Sequence, residues 1–210
     1  MNGPLRRRDL LCAALAIAAL LSADASAQPA PGSIEAGVGG GRFFGGSFPS
    51  GSNVYFGHRV QADDDILKGV WLGAQISRSW GIEVAVRRTE THLVESAGGV
   101  FARKPAVAGF VPATIELVGL WSYPLGNFVP YAGFGLGVSN LDIDVEDVSV
   151  RDVTRFCMSA TLGARFYAAR WIGARIDVRG RATTLDGGRW FLDAELLAGV
   201  FVSFGGKALP

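Results

Sequence analysis

The chain has 210 residues, enough for one domain with a sizeable core. With 49% hydrophobic residues, 19% charged residues and a net charge of +1, it excludes general disorder, an acidic tail and a broad basic surface for nucleic acid. Glycine, at 29 residues, is about twice its usual ~7% share but has no three-residue period, which excludes collagen.

Residues 1–27 read as a cleaved signal peptide. Arg6, Arg7 and Arg8 form its basic start, and Leu10 to Leu21 is an apolar run too short for a membrane helix. Ala25-Ser26-Ala27 is a small-x-small cleavage site. Arg7-Arg8 followed by Leu10-Leu11 also has the look of a twin-arginine export signal, so the export route stays open. Residues 28–32 form a short linker.

Beyond it the chain has no strong 3.6-residue period, so helical spans are not expected. Alternation with a period of two recurs instead, predicting strands near 33–44, 67–77, 81–93, 111–122, 128–141, 153–167, 171–183 and 190–204. In the last, Trp190, Leu192, Leu196, Val200, Val202 and Phe204 share one face, and Asp193, Glu195 and Ser203 share the other. Several of these strands exceed the usual ~5–6 residues, and a strand tilted by about 45° needs ~9–11 residues to cross a bilayer.

The connections alternate in length. Residues 78–80, 123–127 and 168–170 are short turns, whereas 45–66, 94–110 and 142–152 are long loops and 184–189 is intermediate. In an up-and-down meander all the short turns fall at one end, the asymmetry of outer-membrane barrels with short periplasmic turns and longer external loops. Trp80, Trp121, Tyr123, Phe128, Tyr167, Trp171 and Phe204 all fall at the short-turn end, as an interfacial girdle requires. A weaker ring of Phe43, Phe44, Phe110 and Trp190 falls at the other end.

Alternation does not say which face meets solvent, but the charges do. The polar face carries Glu35, Glu83, Glu116, Asp177, Asp193 and Glu195 beside Arg87, Arg155, Arg165, Arg175, Arg179 and Arg181. Lysine, the usual hydrated surface cation, is nearly absent from it. Matched carboxylates and guanidiniums suit an enclosed space, where unpaired charge is costly and the planar Arg fork holds acids bidentately. Gly133, Gly135 and Gly137 share this phase and leave room for Arg side chains. The expected fold is all-β: an eight-stranded antiparallel up-and-down transmembrane β-barrel over 33–204, with a side-chain-filled lumen and a tail, 205–210.

The segment YPLGNFVPYAGFGLGVSNLD, residues 123–142, resembles a hairpin of the small outer-membrane β-barrel family related to the outer membrane protein A transmembrane domain. The short Pro-Leu-Gly turn and the glycine-alternating strand carry the likeness. By the same resemblance, Gly199, Val202 and Phe204 occupy the glycine and hydrophobic positions of the C-terminal signal read by the barrel-insertion machinery. The chain departs from that pattern at Leu197, where a polar residue is usual, and in the tail after Phe204.

Catalytic chemistry is sparse. His58 lies in the first long loop and His92 at a strand end, without a Ser, Asp or Cys partner in a recognised spacing. The strand 171–183 has neither the His nor the Ser that a resemblance to lipid A deacylases would require; His58, Ser50 and Ser52 could meet at the rim as a palmitoyltransferase-like reading needs. Asp142, Asp144 and Glu146 suggest a solvated rim rather than a calcium loop, and Arg88, Arg103 and Lys104 are candidate partners for lipopolysaccharide phosphates. No cofactor or metal motif is present. The leading expectation is a non-enzymatic barrel with a structural or surface-interaction role, in contact with outer-membrane lipid, lipopolysaccharide and an external-loop ligand. A narrow pore and a soluble lipocalin-like carrier are the alternatives.

Overall fold

The computed structural model describes residues 30–46, 60–95, 106–145, 148–185 and 188–206. The signal peptide (1–27), the end of the tail, and His58, Ser50, Ser52, Arg103, Lys104 and Glu146 lie outside the described residues.

Among the described residues, ten strand segments build one antiparallel sheet closed on itself. They are β1 (Ser33–Phe44), β2 (Val60–Ala62), β3 (Asp65–Gln75), β4 (Trp80–Thr89), β5 (Thr91–Glu95), β6 (Ala106–Ser122), β7 (Phe128–Val145), β8 (Val148–Ala169), β9 (Ile172–Thr184) and β10 (Trp190–Gly205). Eight staves run β1-β3-β4-β6-β7-β8-β9-β10 and close through β1–β10 pairing. β5 continues the β4 stave along β6, and β2 pairs with β5, so this side of the wall extends upward.

Three expected loops are shortened by this pairing. The third, 142–152, is mostly strand: β7 and β8 continue to Val145↔Val148, past a register shift near Leu141. Its sequence, β-branched at Ile143, Val145, Val148 and Val150, favours extension despite the interleaved acids. Likewise β2 and β3 take up part of 45–66, and β5 and β6 part of 94–110.

The stagger of the barrel follows from the registers. From Ile34 the pairing runs through Ala74, Ile82, Gly119, Phe134, Ala160, Gly180 and Ala194, and returns to β1 at Phe44, ten positions further along. With a rise of ~3.3 Å per residue and strands ~4.8 Å apart, a stagger of about ten over eight strands tilts them by about 40°. Each residue toward the long-loop end then climbs about 2.5 Å, and each step to the next strand in that order about 3 Å.

Apolar side chains cover the outside, including Val38, Leu72, Val84, Leu117, Leu162 and Val178, all well exposed. Among the described residues, the buried set inside is about half polar or charged and half apolar, and eleven of its side chains are ionisable Asp, Glu or Arg. An apolar outside around so many buried charges is the reverse of a soluble barrel, and in water it would leave the exposed belt unsatisfied. In lipid the same surface is satisfied, and closure leaves no unpaired edge in the hydrocarbon.

Candidate functional site

The interior is filled in tiers. Near the short turns, Glu35 accepts a hydrogen bond from the indole Nε1 of Trp71 at 3.1 Å and faces Arg165 Nε at 3.3 Å. Above it, Arg175 grips Glu83 through Nη1 at 2.5 Å and Nη2 at 3.3 Å, and donates Nε to Asp177 at 2.8 Å. The hydroxyl of Tyr131 donates to the same Asp177 oxygen at 3.1 Å. The Arg175 guanidinium lies 4.5 Å from the Trp71 ring centre and 5.3 Å from that of Tyr131, so the two rings confine it.

The upper tier is a relay of shared partners. Glu116 receives Arg87 at 3.1 Å and also Arg179. Glu195 faces Arg87 at 3.5 Å and Arg181 at 2.9 Å, and Arg181 pairs with Asp193 at 2.9 Å. Over this tier close Phe43, Phe110 and Phe191, the last two edge to face with centres 6.1 Å apart.

The structure thus brings eleven of the twelve expected interior charges into buried positions: six carboxylates and five guanidiniums. The twelfth, Arg155, is half-buried near the long-loop end.

Burial corrects other expectations. Tyr167 is not part of the outer girdle. It is buried inside, with its hydroxyl 3.5 Å from Glu35, because alternation from the outward-facing Phe166 turns it inward. Phe43 and Phe110 also point inward, leaving Phe44 and Trp190 on the outer surface. A Cβ on Gly133, Gly135 or Gly137 would first meet Leu120, Val118, Ser159, Glu116 or a neighbouring backbone carbonyl.

Aromatic rings press on glycines elsewhere. Gly37 and Gly199 both lie under the Trp71 indole, Gly163 under Tyr131 and Gly173 under Phe201. A Cβ on Gly199 would come within 2.6 Å of Trp71 Cη2, so glycine is required by this close approach. The sequence alone assigns no such packing role to Trp71, Tyr131 or Phe201. Their signal is an aromatic opposite a glycine on a neighbouring strand, legible only once the register is known.

On the outside, Trp80, Trp121, Tyr123, Phe128, Trp171 and Phe204 are exposed. By the climb worked out above, they fall in a ring about 8 Å deep at the short-turn end. His92 is exposed, and its backbone oxygen accepts from Asp63 N at 2.9 Å. Asp142 is exposed at the opposite rim from the short turns.

A filled, charge-matched barrel with an apolar exterior defines an integral outer-membrane protein. Residues 11–202 match the model of the outer membrane protein beta-barrel domain, and the chain belongs to that family. No curated protein matches its sequence at a significant level. Among solved structures it is similar to the outer membrane protein OprG of Pseudomonas aeruginosa, with a TM-score of 0.61 and 14% identity over 87% of this chain and 100% of that one. It is also similar to Neisserial surface protein A, with a TM-score of 0.57 and 13% identity over 83% of this chain and 99% of that one. Ail, the attachment invasion locus protein of Yersinia pestis, has a TM-score of 0.52 and 12% identity over the same shares, 83% and 99%. These likenesses share the fold, and the protein is located in the outer membrane.

Proposed function

We propose that the protein is a non-enzymatic barrel with a structural or surface-interaction role, exerted by the segments that follow β1 and β5 at the long-loop end. The observation that carries this reading is the occupied lumen. Arg175 and Arg179 span it to Glu83 on β4 and Glu116 on β6, Arg181 pairs with Asp193 on the adjacent strand and reaches across to the Thr114 hydroxyl, and Phe43, Phe110 and Phe191 close over them. Opening a path would separate buried ion pairs, at a cost of several kcal/mol for each charge left alone. A surface role needs only a rigid stand, which the interlocked interior supplies.

Planar-bilayer recording of the refolded protein tests it. Repeated insertions, verified by their heat-sensitive mobility on SDS gels, should give no discrete conductance steps. Reproducible steps would favour a narrow conduit instead. That second reading is supported by the Ser139, Thr161 and Thr183 hydroxyls and Arg179 Nε, buried without a hydrogen-bond partner among the described residues. Such atoms suit a thin hydrated seam.

Lipid and lipopolysaccharide are the proposed surroundings of the apolar belt. The insertion machinery is the proposed reader of Gly199, Val202 and Phe204; the outward, exposed Phe204 ring supports this.

A further inference from the structure

Among the described residues, the outer wall carries one charged interruption of its apolar belt. Lys68 on β3 stands directly opposite Arg88 on β4. Gly40 on β1 is opposite Lys68, so Arg42, two residues on, is its diagonal neighbour. All three side chains are exposed on the outward phase. Directly opposed residues have Cβ atoms about 4.5–5.5 Å apart and diagonal ones about 7–8 Å, and like charges so placed repel. The climb around the barrel puts the three within about 3 Å of one height, about 20 Å above the short-turn aromatic ring.

This height lies inside the belt. Val70 and Val86 are exposed one pleat below the cations and Val38 two pleats below, and Phe44 and Ile66 are exposed one pleat above. The apolar band of such barrels is about 25 Å tall. The cations therefore face the upper edge of the hydrocarbon, where long basic side chains reach up to headgroups. Arg88 meets Glu90 at 3.4 Å, with both side chains largely exposed. Among the described residues, Arg42 and Lys68 have no acidic partner. Three cations share one carboxylate, leaving an excess of two positive charges in one small area.

We propose that Arg42, Lys68 and Arg88 form a phosphate-binding site on the outer wall, occupied by the headgroup phosphate of an outer-leaflet lipid. A phosphate monoester supplies the missing negative charge and oxygens for all three donors, and Arg presents a fork that matches its geometry. The height selects a lipid over a solute, because a soluble anion would have to enter the edge of the hydrocarbon. The inference rests on the proposed lipid surroundings of the belt and is independent of whether the lumen conducts.

The test uses the full mature chain refolded into phosphatidylcholine nanodiscs doped with diphosphoryl lipid A or with its dephosphorylated form. Lipid retained by each barrel after detergent exchange is measured by mass spectrometry. Diphosphoryl lipid A should be retained preferentially. The triple variant Arg42→Gln, Lys68→Gln, Arg88→Gln should lose affinity by roughly a hundredfold, at about fivefold per cation near a membrane surface. The charge-conserving variant Arg42→Lys, Arg88→Lys should stay within about tenfold of the parent. Heat-modified mobility checks that each variant folds, and bilayer recording of the same samples reads the lumen separately. Equal retention of the two lipids, or an unchanged triple variant, would overturn the proposal. So would displacement of lipid A by inorganic phosphate, which would make the patch a site for a soluble anion.

Discussion

Arg175 offers the sharpest test of the filled lumen. Its side chain is fully buried and makes two contacts to Glu83 and one to Asp177. Among the described residues, no other ion pair reaches Glu83, whereas Asp177 keeps the Tyr131 hydroxyl. Arg175→Gln therefore strands a buried carboxylate. Breaking a buried pair in this way costs about 3–5 kcal/mol, which lowers the folding constant by roughly two to nearly four powers of ten. Glu83→Gln combined with Arg175→Gln removes both charges of the stronger pair and should restore at least about half of the loss. The assay is equilibrium unfolding in urea from phospholipid vesicles, followed by tryptophan fluorescence. A single variant within about 1 kcal/mol of the parent, below the loss expected for a broken buried pair, would refute the reasoning. A double variant no more stable than the single one would do the same.

Other outcomes follow from the same geometry. Gly199→Val forces a side chain against Trp71 and the Val38 carbonyl, and should lower stability by about 1–3 kcal/mol or more in the same unfolding assay. Gly180→Ala, with nothing within 4 Å of its Cβ, should be neutral or slightly stabilising. Val84→Arg places a charge near the middle of the exposed belt and should cost about 2–4 kcal/mol, whereas Thr154→Arg at the rim should cost about 0–1 kcal/mol; equal costs would mean that this face does not meet lipid. Cys157 is buried in the interior, so a maleimide should label it only after the barrel is boiled in SDS; rapid labelling of the folded form would expose an unfilled path.

Strand existence, phase and the sorting of charges inward were legible in the sequence because alternation is local: Arg175, Asp177, Arg179 and Arg181 declare a shared face without reference to any other strand. The aromatic ring was legible for the same reason, since each short turn marks its own height. Tyr167 shows where proximity to a turn misleads, for its phase, one residue from Phe166, outweighed its position. The acid-rich segment 142–152 reads as a loop by composition, but β7 and β8 pair through most of it, because each strand's polar backbone groups are satisfied by the other. Partners and heights were beyond the sequence. That Arg175 meets Glu83, that Trp71 covers Gly37 and Gly199, and that Arg42, Lys68 and Arg88 share one level all depend on a ten-residue stagger accumulated over eight registers. No single strand encodes that sum, so only closure of the barrel decides it.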